Sequence, residues 1–526
     1  MKRRTVFFGL IFSFAITVCS KDYKPNIVYI LADDLGVGDI SYLNSESKIS
    51  TPNIDKIAKN GMYFSDAHSS ASVCTPTRYG LLTGRYSWRT NLKEHVLNSY
   101  AACLIGENQE TVAKLARRNG YTTAMIGKWH LGLNWQGKEG KEVATSLKKG
   151  TEENVDFSKP ITFGPNEAGF DYWYGTAASW DFPPYGFIEN NLLTNHETIR
   201  KVSDNYAKST ITPEIQSRID TAKGNAKDIK KILNDYPKAA WRTGVVTEGI
   251  TKESALSAIA DKAVDYIENY KNEQPLFLYV PLTAPHTPVS PGEKFIGKSN
   301  CGLYGDFVQE MDYYIGKIAD VLKSKGMWEN TLFVFTADNG ASLKAIPPAI
   351  QKKYNHSPSY IYSGFKAKVE EGGHRVPFIV SWPNVVKKGT SSDALISLND
   401  LYATMAQMFE EDINTESAPD SYSMLWALLG KDKSELAQRN FEFHHTFPGR
   451  FGFRYENWKL DLHKGKMFDL SKDIKEKNNV RARNEELYNK LVKIASDYIR
   501  NGRSTEGEQL KNDGSDMWPQ IESWIQ

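Results

Sequence analysis

Four cysteines in 526 residues, Cys19, Cys74, Cys103 and Cys301, are too few for a disulfide framework. Charge of one sign is also missing. Lys and Arg number 65 against 63 Asp and Glu, a net charge of +2, which excludes a dedicated nucleic-acid or membrane-surface binder and makes any recognition of an anion local. The apolar run from Val6 to Val18 is too short to span a bilayer. Preceded by Lys2, Arg3 and Arg4, it reads as a signal peptide over residues 1–20, cleaved after Ser20. Lipidation of Cys19 is the alternative, although Val18 is bulky for the preceding position. Export is therefore expected, to the periplasm or beyond the cell, with no transmembrane segment in the mature chain. No internal repeat is apparent.

What is present describes an ordinary globular protein, 40% apolar and 24% charged. Its length predicts two domains. Through residues 21–415 a rhythm recurs of helix, buried strand and polar strand end. Strands are predicted at Asn26 to Ala32, Tyr121 to Ile126, Leu276 to Val280, Thr331 to Thr336 and Pro377 to Trp382. Helices are predicted from Thr51 to Gly61, Thr111 to Asn119, Glu253 to Tyr270 and Tyr304 to Lys325. This is the pattern of a doubly wound α/β sheet. Residues Gln136 to Lys159 read as a surface loop, and Asn205 to Asn234 as a charged helical insertion. From residue 416 the texture changes. Alternating runs at Phe441 to His444, Phe451 to Tyr455 and Trp458 to Leu462, then a helix from Asn484 to Arg500, predict a smaller α+β domain over 416–526. Its tail around Gly502 to Gly514 is expected to be loosely structured.

The polar strand ends carry the chemistry. Asp33 and Asp34 follow the first strand, and two adjacent acids there are unfavourable unless a cation joins them; hard oxygen ligands suit Ca²⁺ or Mg²⁺. A solvated turn explains an isolated Asp-Asp pair equally well. Lys128 and His130 follow the second strand, His286 the third, and Asp338 and Asn339 the fourth, where open α/β sheets place their ligands. Between them lies Ser72-Val73-Cys74-Thr75-Pro76-Thr77-Arg78. Pro76 suits the first turn of a helix, which puts Cys74 at a helix N-terminus, a setting that favours an anion. That helix is expected to continue to Tyr86, with Leu81 and Leu82 facing inward and Gly84 near its end.

In order and type, these residues resemble the type I sulfatases of the alkaline-phosphatase superfamily, over nearly all of the mature chain from about Pro25. The most specific motifs are Cys74-Thr-Pro-Thr-Arg78, Gly80-Leu-Leu-Thr-Gly84 and Gly127-Lys-Trp-His-Leu-Gly132. The resemblance implies an alkaline-phosphatase-like mixed sheet and a maturation enzyme that oxidises Cys74 to formylglycine. It also implies a Ca²⁺ held by Asp33, Asp34, Asp338, Asn339 and the modified Cys74. Asp338 would take a proton from the attacking hydroxyl. Arg78, Lys128 and Lys366 would bind the sulfuryl oxygens, His286 would protonate the leaving alcohol, and His130 would take the second proton of the hydrated aldehyde. Around Lys366 the family's tighter Gly-Lys-Gly is replaced by Gly364-Phe-Lys-Ala-Lys-Val-Glu-Glu-Gly-Gly373. Lys366 is assigned over Lys368 because it keeps the usual distance from Glu371. With Cys74 modified, Cys103 and Cys301 are left to pair or stay free.

Trp180-Asp181-Phe182-Pro183-Pro184-Tyr185 resembles the substrate-facing loop of carbohydrate sulfatases acting on galactose-type sugars. A packed core edge is the plainer reading of its aromatics. The substrate implied is a sulfated carbohydrate, with exo-action on a 6-O-sulfate of galactose or N-acetylgalactosamine in host glycans. Asp181 is expected to bind the sugar, and His445 and Arg450 to reach over the pocket from the C-terminal domain. Two rivals stand beside this reading: hydrolysis of phosphate mono- or diesters on the same fold, and an inactive sulfated-glycan-binding protein.

Overall fold

The computed structural model describes residues 24–143, 151–202, 217, 220–222, 224–225, 227–228, 241–271, 274–431 and 438–526. The signal peptide with Cys19 and most of the predicted helical insertion lie outside the described residues.

Ten strands form the main sheet; the central ones are near-continuous runs buried on both faces, as parallel sheets require, and the short edge strands are partly exposed. The ten are β1 (Asn26–Ala32), β2 (Met62–Phe64), β3 (Thr122–Lys128), β4 (Tyr172–Thr176), β5 (Ile188–Glu189), β6 (Leu192–Leu193), β7 (Leu276–Pro281), β8 (Thr331–Ala337), β9 (Phe378–Ser381) and β10 (Thr390–Ser392). Together they make one ten-stranded mixed sheet in the order β10-β2-β9-β8-β1-β7-β3-β4-β5-β6. Its centre, β8-β1-β7-β3-β4, is parallel, and antiparallel pairs flank it. The predicted strands are all present. Those not predicted, such as β5 and β6, are two to five residues long, too short for a periodic signal.

Two groups of helices cover the sheet. α1 (Pro52–Lys59), α4 (Ser254–Glu268) and α5 (Gly302–Ser324) form one. The other contains α2 (Cys74–Thr83), α3 (Val112–Arg118) and α6 (Leu401–Met408). Thr111 caps α3, its hydroxyl accepting from the Lys114 N–H at 3.1 Å. α2 departs from expectation. It stops at Thr83, and all ten of its residues are buried, not only Leu81 and Leu82. Gly84 ends it with φ +63°, a left-handed turn that glycine adopts freely. A side chain at Gly80 would put its Cβ 2.1 Å from Asn399 Oδ1, so a larger residue there would have to displace the Asn399 side chain in the turn before α6.

The C-terminal strands β11 (Phe441–His445), β12 (Phe451–Tyr455), β13 (Trp458–Asp461) and β14 (Lys466–Asp469) form an antiparallel sheet in sequence order, followed by α7 (Glu485–Arg500). β14 was not predicted. Tyr86 and Trp88, far upstream of residue 416, are packed in the core of this sheet with Phe443, Phe451 and Ile499. The tail after α7 meets its expectation in part. It lacks regular structure, yet it is anchored: Arg503, Ser504 and Asn512 are buried, and Trp518, Ile521 and Trp524 join the C-terminal core. Cys103 and Cys301 do not pair; both are free thiols.

Candidate active site

Register brings the acids together. Ala32, the last residue of β1, pairs with Ala337, the last of β8, so Asp33 and Asp34 leave the sheet beside Asp338 and Asn339. Asp34 turns with φ +67°, and its N–H donates to Asp338 Oδ1 at 3.1 Å. Asn339 Nδ2 donates to Asp34 Oδ1 at 2.8 Å. Asn339 Oδ1 is buried with no hydrogen-bond partner. Three carboxylates and an unpartnered carbonyl oxygen form a donor set that suits a hard cation such as Ca²⁺. Asp33, Asp34, Cys74 and His286 also offer ligand atoms that lie within 4.8 Å of one another.

Three cations meet the three carboxylates. Arg78, one turn into α2, donates to Asp338 Oδ2 from Nε at 3.0 Å and from Nη2 at 2.7 Å, while Nη1 reaches the Lys128 carbonyl at 3.1 Å. Lys128 Nζ lies 2.6 Å from Asp33 Oδ2. Lys366 Nζ lies 2.5 Å from Asp34 Oδ1 and 3.3 Å from Cys74 Sγ. Lys368, the rival lysine, is exposed. Burial works against the charge of Asp33, but Lys128, His286 and Arg78 outweigh it and hold the carboxyl below its usual range. Burial likewise opposes the charge of Lys366, and Asp34 overrides it, so the ammonium is firmly held.

Cys74 opens α2 at the centre of this group, with its Sγ 3.7 Å from Asp33 Oδ1. Burial, only partly offset by Lys128 and Lys366, pushes its thiol up to about 12; the unmodified side chain is a neutral thiol and a poor nucleophile. The two histidines are oriented by carbonyls, which can only accept. His130 Nε2 donates to Leu97 O at 2.9 Å, leaving Nδ1 as the acceptor beside Ser179 Oγ at 3.3 Å. Burial, then Lys128 and Arg78, hold His130 well below the ordinary histidine range, so the ring is neutral. His286 Nδ1 donates to Thr287 O at 2.6 Å, which leaves Nε2 facing the acids, 3.7 Å from Asp34 Oδ2.

Above these groups lies a cavity of about 640 Å³ with Cys74, His130, His286 and Lys366 at its floor, within the range of small-molecule sites. One wall is Asp181, Phe182 and Arg242. Arg242 Nη2 donates to Asp181 Oδ2 at 2.9 Å and its guanidinium lies 3.8 Å from the Phe182 ring centre. Asp181 Oδ1 is buried and unpartnered. His95, Leu343 and Phe447 also line the cavity. The other aromatics of the Trp180 to Tyr185 stretch belong to the core, Trp180 and Tyr185 packing on Trp241.

Two expected substrate residues are not brought to the cavity. His445 is fully buried, its Nε2 on the Lys93 carbonyl at 3.0 Å, because it ends a strand that pairs back toward Ala71. Arg450 is exposed on the hairpin after it and does not line the cavity. Ser179, Arg242, His95 and Phe447 line the cavity without having been singled out. Ser179 directly precedes the Trp180 to Tyr185 stretch, and the other three sit on loops that carry no motif.

The arrangement is that of a metal-assisted hydrolase for an anionic ester: a nucleophile position at a helix N-terminus, a hard-cation donor set and three convergent cations. The comparisons with known proteins agree. A family model described as Sulfatase matches residues 25–411. The chain is 33% identical over 493 residues to an N-acetylgalactosamine-6-O-sulfatase of Bacteroides thetaiotaomicron, covering 90% of this chain and 92% of that one. It is 29% identical over 459 residues to human arylsulfatase H, covering 81% and 76%. A solved structure described under metabolism of multiple glycosaminoglycans by Bacteroides thetaiotaomicron superposes with a TM-score of 0.73 at 30% identity, over 89% of this chain and 98% of that one. The chain belongs to the sulfatase family. It is a sulfuric ester hydrolase with an alkaline-phosphatase-like fold.

Proposed function

We propose that the enzyme removes 6-O-sulfate from galactose or N-acetylgalactosamine at the exposed end of host-type glycans, using Cys74 matured to formylglycine and one Ca²⁺. The observation that carries the chemistry is the meeting of Asp33, Asp34, Asp338 and the unpartnered Asn339 Oδ1 around Cys74. The substrate reading rests on the likeness to an N-acetylgalactosamine-6-O-sulfatase and on the wall of Asp181, Phe182 and Arg242. A 6-O-sulfate hangs on a flexible arm that can drop to the floor while the ring stays against this wall.

Asp33, Asp34, Asp338 and Asn339 would hold the ion, which would polarise the hydrated aldehyde of position 74 and offset charge on the sulfate. Within the protein, Arg78, Lys128 and Lys366 already balance the three carboxylates, so the ion's charge is left to face the anionic ester. Asp338 takes up the proton of the attacking hydroxyl. His286, fixed through Nδ1, presents Nε2 to give a proton to the departing sugar oxygen, which a poorly stabilised alkoxide requires. His130, fixed through Nε2, presents Nδ1 as the acceptor for the second proton that releases sulfate. Export of the mature chain belongs to the same proposal; among the described residues no helix is long and apolar enough to cross a membrane.

The test is sulfate and phosphate release from 6-O-, 4-O- and 3-O-sulfated galactose and N-acetylgalactosamine and from matched phosphate esters, with Cys74→Ala as the blank. Conversion of Cys74 is first verified by peptide mass. Sulfate release from the 6-O-sulfated sugars, lost in the variant, is expected. Release from another regioisomer overturns the substrate assignment, and phosphate release alone from converted protein overturns the reaction.

A further inference from the structure

The C-terminal sheet reaches the active site through a buried ionic cluster that the proposed reaction does not use. At its centre is Glu371, fully buried, five residues after Lys366 in the same loop. Lys459, fully buried on β13, donates to Glu371 Oε1 at 2.8 Å. Arg375 Nε donates to Oε2 at 2.7 Å. The Glu371 N–H itself donates to Glu476 Oε2 at 2.7 Å, and Glu476 lies 3.7 Å from Lys459. One carboxylate of the loop is thus gripped from the C-terminal domain by a lysine and, through its backbone, by a second acid.

The same loop touches the approach to Cys74. The Ala367 N–H donates to the Ser72 carbonyl at 2.8 Å, the Ser72 N–H to the His445 carbonyl at 2.8 Å, and the Ser69 N–H to the His374 carbonyl at 2.9 Å. The residues leading into Cys74 are therefore held between β11 and the Lys366 loop. Ala367 itself has φ +68°, a conformation that a non-glycine residue keeps only where its surroundings impose it. Lys366 owes its place to those surroundings.

We propose that Lys459 and Glu371 are positioning residues for catalysis: their buried ion pair ties the C-terminal sheet to the 364–375 loop and so sets Lys366 Nζ against position 74. This rests on the assignment of Lys366 to the sulfate group. Removing Lys459 leaves the buried Glu371 to Arg375, and removing the charge of Glu371 leaves Lys459 to Glu476 at 3.7 Å; either change unbalances a cluster kept from water, which the loop relieves by moving, and that displaces Lys366. Replacing both charges by neutral groups of similar shape removes that imbalance.

His444 packs against the same pair. Its Nδ1 lies 3.8 Å from Glu371 Oε1 and has no hydrogen-bond partner. The groups facing it are Lys459 from β13, Glu371 and His374 from the loop, and His68 from the chain before α2, the His374 ring stacking at 4.0 Å and the His68 ring at 5.1 Å. Behind these stand Arg375 and Arg454, both paired with Asp66. Burial, then Lys459, keeps His444 neutral.

The experiment compares Lys459→Met, Glu371→Gln and the double variant with wild type. Turnover of an aryl sulfate is normalised to converted Cys74 and measured where circular dichroism shows each protein folded. Each single variant is expected to lose about 10- to 100-fold in kcat, the effect of misplacing a reacting group by up to about 1 Å, and the double variant to return to within about threefold of wild type. Unchanged kcat in Lys459→Met, or a double variant no better than the worse single, overturns the proposal. Lys459→Gln, which keeps a neutral donor to Glu371, replaces the methionine variant if that one does not fold, with the same criteria. Lys366→Ala runs alongside: full turnover there refutes the sulfate role of Lys366 separately.

Discussion

Replacing Asp181 by alanine tests the sugar wall of the cavity. Asp181 Oδ2 is occupied by Arg242 at 2.9 Å, while Oδ1 is buried and has no protein partner. Burial opposes its charge, but His286 and Arg242 outweigh it and keep the carboxyl below its usual value, so an ionised oxygen is available to a substrate hydroxyl. A hydrogen bond to a charged group is worth about 1.5–3 kcal/mol, or roughly 10- to 150-fold in kcat/KM. Asp181→Ala should lose that much on 6-O-sulfated N-acetylgalactosamine and less than about threefold on an aryl sulfate, which has no hydroxyl to present. Asp181→Asn, which keeps an acceptor, should lie between. Steady-state kinetics on both substrates, with Cys74 conversion matched, gives the comparison. Equal losses on the two substrates would refute the sugar role and return Asp181 to holding Arg242 in place.

Arg89 joins the end of the α2 region to the C-terminal domain through Asp420, Nε to Oδ2 and Nη2 to Oδ1 both at 2.8 Å, with neither side chain exposed. Arg89→Met should cost about 3–5 kcal/mol, read as a lower urea midpoint; a shift under about 1 kcal/mol would show that the pair is not a stabilising link. Glu310, whose Oε2 accepts from the Gly292 N–H at 2.8 Å, is raised from 4.5 to about 7 by burial. The folded state therefore holds its proton where the unfolded chain has released it, and stability present below about pH 4.5 is lost as pH rises through 7. Glu310→Gln should raise Tm at pH 8, by about 1–3 kcal/mol of stability, and the gain should vanish near pH 4.5; a gain that does not change with pH would contradict this. Chelation with EGTA should abolish turnover and Ca²⁺ should restore it, with Asn339→Leu needing more Ca²⁺. Activity indifferent to EGTA, after dialysis verified by elemental analysis, would remove the ion from the proposed reaction.

The amino-acid order alone was enough for the central strands and for the polar residues at their ends. A buried parallel strand is a continuous apolar run, and the residues that follow it must sit at the sheet's carboxyl edge. Asp33, Lys128, His286 and Asp338 were legible for that reason, and Cys74 and Arg78 because a proline and a glycine mark the ends of their helix. The tertiary structure alone decided the rest. Arg242 meets Asp181 across 61 residues of chain, and Ser179 meets His130 across 49. Tyr86 and Trp88 pack into the core of a sheet that begins at Phe441, so the division at residue 416 seen in the texture of the chain does not divide the packing. His445 is hidden because its strand continues toward Ala71. Such contacts join segments tens to hundreds of residues apart, and they are set by which buried surfaces and charges satisfy one another in three dimensions, a condition that no local period or spacing records.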